Sequence, residues 1–98
     1  MDLGTGDGSA VLRLAKSSPR TLVIGVDTNA AGLVDASRRA TRKRGADNAL
    51  FLVADATDAL HALCGRVDLL TITLPWGSLL RRLLEGEREF ALAVAGAL

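Results

Sequence analysis

The stretch Asp2-Leu3-Gly4-Thr5-Gly6-Asp7-Gly8 sets glycine at three alternate positions directly ahead of an apolar-periodic segment carrying Ala10, Val11, Leu14 and Ala15. Glycines at that spacing let the backbone turn sharply and let a ligand approach with no side chain in the way. The segment behind them reads as a helix, whose N-terminal N–H groups and dipole favour an electron-rich ligand. A loop of this kind normally follows a buried strand, and here almost no chain precedes it.

The rest of the chain alternates short apolar runs with helical periodicity. A first helix is expected over about Gly8 to Lys16, capped by Asp7, and is broken at Ser17-Ser18-Pro19-Arg20. Thr21–Val26 is an almost continuous β-branched and apolar run, as expected of a strand covered on both faces, and it ends at Asp27. Thr28-Asn29 offers a cap, and Ala30, Leu33, Val34, Ser37, Ala40 and Thr41 recur at helical spacing up to Gly45, a natural stop. Ala49–Ala54 reads as the next buried strand and ends at Asp55; Thr57 to Leu63 as a short helix closed by Gly65; Val67–Thr73 as another strand running into Leu74-Pro75-Trp76-Gly77. Helical stretches over Ser78–Leu84 and Glu87–Leu98 follow. The alternation predicts a doubly wound, mostly parallel α/β sheet of Rossmann-like type with helices on both faces, in one domain over residues 1–98.

Composition narrows the setting. With three aromatic residues among 98, the core has to be built from Leu, Val, Ile and Ala. No window has the length of a membrane-spanning helix, and a lone Cys64 gives no disulfide framework, so a cytoplasmic protein is expected. The net charge of +1 hides an asymmetry: Arg13 to Arg44 holds eight basic residues against two acidic ones. Within it, Arg38, Arg39, Arg42, Lys43 and Arg44 form a basic face that suits an anionic partner such as nucleic acid. The plainer reading is a helix whose last turn complements its own dipole.

Ligands of such sheets sit beyond the carboxyl ends of the strands. The glycine loop, Asp27, Asp55 and Leu-Pro-Trp-Gly all fall at those ends. The dinucleotide fingerprint needs its third glycine at the sixth position, where this chain has Ser9, and no P-loop lysine follows. An acid (Asp2) two residues before Gly4, followed by Gly-x-Gly-x-Gly, resembles instead the first motif of class I S-adenosylmethionine (SAM) methyltransferases. On that resemblance Asp27, nineteen residues past Gly8, accepts hydrogen bonds from the ribose hydroxyls. Asp55, Ala56 and Thr57 border the adenine, and the methionine and ribose parts pass over Gly4 and Gly6. Each acid also has a plainer role, Asp27 as a cap of the second helix and Asp55 of the third.

At the fourth strand end, methyltransferases of exocyclic amino groups carry Asn or Asp ahead of prolines and an aromatic residue. Here Leu74 replaces the polar residue while Pro75 and Trp76 remain, which points to a ring nitrogen that already has a lone pair. Trp76 would stack on the target base, a contact of about 1–3 kcal/mol, and face the charge left on the ring; its plainer role is packing over the sheet's top edge. The glycine motif, Leu22–Ala30, Asn48-Ala49-Leu50-Phe51 and Thr73–Leu80 together resemble the kanamycin–apramycin resistance 16S rRNA (adenine-1408-N1) methyltransferases. The resemblance implies methyl transfer to N1 of an adenine in the decoding site of the assembled small ribosomal subunit, with neither metal nor general base. It also implies that Gly4, Asp27, Ala56, Thr57, Thr73 and Ser78 line the SAM site and that Trp76 belongs to a pair of tryptophans around the base. The basic cluster could meet rRNA phosphates, and the resemblance does not say which of its members do. A monomer is expected, and His61 and Cys64 are expected to be structural.

This sequence has one tryptophan, and the further strands expected of this fold after Leu98 are missing. The first strand is reduced to Met1-Asp2-Leu3, with Met1 standing where an internal valine codon would be. Its loss should leave backbone groups on both neighbouring strands unpaired, at about 1–3 kcal/mol each if buried. The chain is therefore expected to be a fragment of the enzyme, truncated at both ends. Two other readings stay open: a class I methyltransferase with another RNA or a small-molecule substrate, and an inactive SAM-binding fragment.

Overall fold

Four parallel strands in the order β3-β2-β1-β4 form the sheet of the computed structural model, which describes residues 1–72, 86 and 88–98. In chain order the elements are β1 (Asp2–Leu3), α1 (Ser9–Ser17), β2 (Val23–Asp27), α2 (Ala30–Thr41), β3 (Ala49–Val53), α3 (Ala56–Ala62), β4 (Thr71–Ile72) and α4 (Arg88–Ala97). Thr73, Trp76 and Ser78, and the helix expected over Ser78–Leu84, lie outside the described residues.

Side chains alternate across β2 as the pleat requires. Val23 joins Val11, Leu12, Ala15, Ala40 and Ala46 under α1 and α2. Val26 joins Leu3, Leu60, Val67, Phe90 and Ala93 under α3 and α4. Both faces of the sheet are thus covered, as expected. Full burial of side chains such as Leu3, Leu33 and Leu60 contributes roughly 1.5–3 kcal/mol each.

The two-residue β1 does the work of a central strand. Asp2 and Leu3 pair with Gly25 and Val26 on one side and with Thr71 and Ile72 on the other. The Thr71 N–H donates to the Met1 carbonyl at 2.9 Å, and the Thr71 hydroxyl donates to Asp2 Oδ1 at 2.8 Å. The strand expected to start at Val67 begins only at Thr71, where β1 meets it.

Other expectations shift for local reasons. Among the described residues β3 is an edge strand, and Leu50 and Val53 stay exposed where a buried strand was expected. Helix α1 begins behind Gly8 in the left-handed region, with no side-chain cap; Asp7 acts one residue earlier, accepting the Ser9 N–H at 3.0 Å. Helix α2 ends at Thr41 with Arg42 extended behind it; in the turn that follows Arg44 takes φ 68°, and the Ala46 N–H donates back to the Ala40 carbonyl at 2.9 Å. Gly45 is needed for a different reason than a left-handed stop: a Cβ there would run into the Ala40 carbonyl.

Candidate functional site

The glycine loop is held from the side of β2. The Gly4 and Thr5 N–H groups both donate to the Val26 carbonyl, at 2.8 and 3.1 Å, and the Gly6 N–H donates to Asp27 Oδ2 at 2.9 Å. Asp27 Oδ1 accepts the Asn29 N–H at 2.9 Å. The carboxylate at the end of β2 is therefore hinged between the loop and the start of α2. It does not cap that helix; Asn29 does, through its side-chain oxygen and the Gly32 N–H at 3.4 Å. An ionised carboxylate has about four lone-pair sites. Each Asp27 oxygen accepts one backbone N–H and keeps a second direction for a ligand hydroxyl, which matches a vicinal diol.

Gly4, Gly6 and Gly8 all have positive φ, at 69°, 62° and 75°. Gly6 is exposed, and among the described residues nothing lies within 4 Å of where its Cβ would stand, so the loop backbone is open there. Gly8 is shut in: a Cβ would sit 2.6 Å from Phe51 Cε1 and 2.8 Å from the Ala36 methyl. The Phe51 ring lies beneath the loop in a slot that also requires Gly25, whose absent Cβ would be 2.9 Å from Phe51 Cδ1 and 3.0 Å from the Thr5 methyl. Asp7 is exposed, and its carboxyl is held below the ordinary range. The Ser9 backbone N–H is the main cause, then the Ser9 hydroxyl, with a smaller pull from Arg39.

At the third strand end Asp55 caps α3, accepting the Thr57 N–H at 2.9 Å, as its plainer reading expected. Asp55 and Ala56 are half-buried and Thr57 is buried. The Ala54 N–H donates to the Asp27 carbonyl at 3.1 Å, which ties the second and third strand ends together. Asp2 is buried between β2 and β4, behind the loop. Of the basic cluster, Arg38, Arg42, Lys43 and Arg44 are exposed and Arg39 is half-buried.

Phe51, Ala36 and Gly32 support the loop without having been singled out as site residues from the sequence. A glycine inside a helix, as at Gly32, costs about 1 kcal/mol against alanine, and that cost is the one signal that pointed to a close approach. His61 and Cys64 lie elsewhere. Helix α3 starts at the strand ends and runs away from them, so both line an open apolar groove against α4, with Leu92 and Gly96. The Cys64 thiol donates to the Gly96 carbonyl at 3.2 Å. Among the described residues no cluster of His, Cys, Asp and Glu could hold a metal ion, and no helix is long and apolar enough to cross a membrane.

Known proteins are similar to this chain in sequence and fold. The 16S rRNA (adenine(1408)-N(1))-methyltransferase of Escherichia coli is 34% identical over 98 residues, covering 97% of this chain and 45% of the relative. The crystal structure of the aminoglycoside resistance methyltransferase NpmB1 superposes with a TM-score of 0.90 at 45% identity, covering 99% of this chain and 48% of that one. A variant of the 16S rRNA (adenine(1408)-N(1))-methyltransferase from Catenulisporales acidiphilia, solved with cosubstrate SAM, gives a TM-score of 0.89 at 32% identity over 98% of this chain and 48% of that one. The chain thus spans about half the length of the relatives it matches. The family model described as NpmA, 16S rRNA (adenine(1408)-N(1))-methyltransferase, matches residues 1–97, and the chain belongs to that family.

Proposed function

We propose that this chain is the cofactor-binding part of a SAM-dependent methyltransferase acting on N1 of an adenine in the 16S rRNA decoding site, the modification type that gives aminoglycoside resistance. The observation that carries the reading is the Asp27 carboxylate, hinged on the Gly6 and Asn29 N–H groups at 2.9 Å with an acceptor direction left on each oxygen. Asp27 holds the two ribose hydroxyls. The exposed backbone at Gly6, together with Gly4, lies along the methionine and ribose parts, and Asp55, Ala56 and Thr57 border the adenine. Asp2 fixes the loop from behind by joining β1 to β4 through Thr71.

When bound, SAM supplies a sulfonium methyl group, which the N1 lone pair takes by in-line displacement as the C–S bond breaks and its electron pair stays on sulfur. N1 of a neutral adenine carries no proton, so the chain has no proton to remove and its contribution is positioning. By the family resemblance, Trp76 stacks on the target base and Thr73 and Ser78 line the SAM site. The exposed Arg38, Arg42, Lys43 and Arg44 meet phosphates of the small-subunit rRNA. The protein works as a monomer in the cytoplasm.

Calorimetric titration with SAM tests the cofactor reading. The protein should bind, and Asp27→Ala should weaken binding by about tenfold to a hundredfold, the loss of hydrogen bonds to a charged acceptor. Equal binding by both proteins, or none by either, overturns it. The substrate reading is tested by reverse transcription across the decoding site of small subunits treated with the enzyme and SAM. N1-methyladenine cannot pair, so a stop is expected at that adenine, and read-through overturns the assignment.

A further inference from the structure

Helix α2 runs along the glycine loop with one face turned to it. Gly32, Ala36 and Arg39 stand four and three residues apart, a spacing that stacks side chains on one side of a helix. A Cβ at Gly32 would come within 3.2 Å of the Gly6 carbonyl oxygen, and the Ala36 methyl closes the space beside Gly8. Arg39 is the third member of the stripe. Its Nη1 donates to the Asp7 carbonyl and its Nη2 to the Ser9 hydroxyl, each at 3.4 Å. The guanidinium therefore spans the turn from the loop into α1. A planar fork of N–H groups can meet two such acceptors at once, and a lysine ammonium on a flexible stem has no matching geometry. Arg39 is also the one residue of the basic cluster that is not exposed.

We infer that Arg39 is a positioning residue for the glycine loop, bracing the backbone between Gly6 and Ser9 from helix α2, and that it does not contact rRNA phosphate. The inference rests on the proposed SAM-binding role of that loop. It divides the basic cluster in two. The outward residues belong to the RNA face, and Arg39 belongs to the cofactor site. Helix α2 carries Arg38 and Arg39, and Arg42, Lys43 and Arg44 follow directly at its C-terminal end, so the surface that meets rRNA and the brace of the loop that holds SAM are joined through one element.

The test compares the enzyme with its Arg39→Ala, Arg39→Lys and Arg38→Ala variants in three measurements: SAM affinity by calorimetry, hydrogen exchange of the Gly6 and Gly8 amides without ligand, and the salt dependence of small-subunit binding. Arg39→Ala should weaken SAM about three- to tenfold, the range for losing hydrogen bonds from a charged donor at long distance, and should speed exchange in the loop. Arg39→Lys should restore neither. Both should keep the wild-type salt slope, whereas Arg38→Ala should lower it by about one and leave SAM affinity alone. Wild-type SAM affinity and loop exchange in Arg39→Ala overturn the inference. So does a reduced salt slope in Arg39→Ala that Arg39→Lys restores. If the unmutated enzyme binds no SAM, the proposed function falls and the inference with it; if it binds SAM and the Arg39 variants bind equally well, the inference alone fails.

Discussion

The chain has two phenylalanines, one on each face of the sheet. Phe90, on α4, is 4% exposed among Leu3, Leu60, Val67, Ala93 and Ala97. Phe51, on β3, lies under the glycine loop, where the absent side chains of Gly8 and Gly25 make its slot. Around Phe90 an apolar side chain of about the right volume suffices, because its neighbours are aliphatic and the contacts are non-directional. Around Phe51 the neighbours are fixed in identity, because a single added methyl would occupy space that the ring already fills. One face stabilises the sheet, and the other also shapes the glycine loop.

The largest expected effect comes from closing the Phe51 slot. Gly8→Ala sets a Cβ on a left-handed residue, at about 1–2 kcal/mol, and overpacks Phe51 and Ala36, at about 1–3 kcal/mol. Urea denaturation should show a loss of about 2–5 kcal/mol in all, and adding Phe51→Leu should recover part of it through a coupling of about 0.5–3 kcal/mol. Strict additivity of the two substitutions would break the comparison.

A polar tie on the same face comes next. The Asn48 Nδ2 donates to the carbonyls of Ala15, Ser18 and Thr21 at 2.9, 3.0 and 2.8 Å, pinning the end of α1 to the start of β3. Asn48→Ala removes this tie, although the Ala15 and Ser18 carbonyls still accept the Ser18 and Thr21 N–H groups, and should cost about 1–3 kcal/mol by the same denaturation assay. Smaller still, Phe90→Leu and Phe51→Leu should each cost about 1–2 kcal/mol. SAM titration should separate them, with binding weakened in Phe51→Leu and unchanged in Phe90→Leu. Equal SAM affinities would place the shaping of the loop elsewhere.

The smallest effect is electrostatic. The Asp7 carboxyl is lowered from its ordinary 3.8, so the folded state binds that proton more weakly than the unfolded chain does. Its contribution is fully present above 3.8 and is lost as pH falls through the lower folded value. The stability difference between wild type and Asp7→Asn should therefore be flat near neutrality and shrink only in acid. A difference that grew in acid would contradict the Ser9 and Arg39 contacts.

Much of this arrangement is legible along the chain because it depends on local chemistry. Apolar β-branched runs end at Asp27 and Asp55, and those acids do stand at strand ends. Helix α2 runs from Ala30 to Thr41 behind Asn29, as its periodicity and cap residue indicate. The misplaced features depend on partners distant in sequence. Among the described residues β3, which looks buried from its composition, takes the sheet edge, and β4 begins at Thr71, not at Val67, because β1 meets it only from there. The plainer reading of Asp27, a helix cap, fails because one of its oxygens accepts the Gly6 N–H, twenty-one residues away. Arg39 looks like one more surface cation until the loop is folded against it.

Taken alone, the amino-acid sequence determined the α/β class, the parallel arrangement, the glycine loop and the acids at the strand ends. Those follow from backbone permissiveness, hydrophobic periodicity and capping, which act within a few residues. Tertiary structure decided which side of the loop is open and which is shut, and which basic residue faces inward. It also decided how a two-residue strand can hold the centre of a sheet. Each of these depends on what a second element places within a few ångströms, and that is set by packing across the whole sheet, not by spacing along the chain.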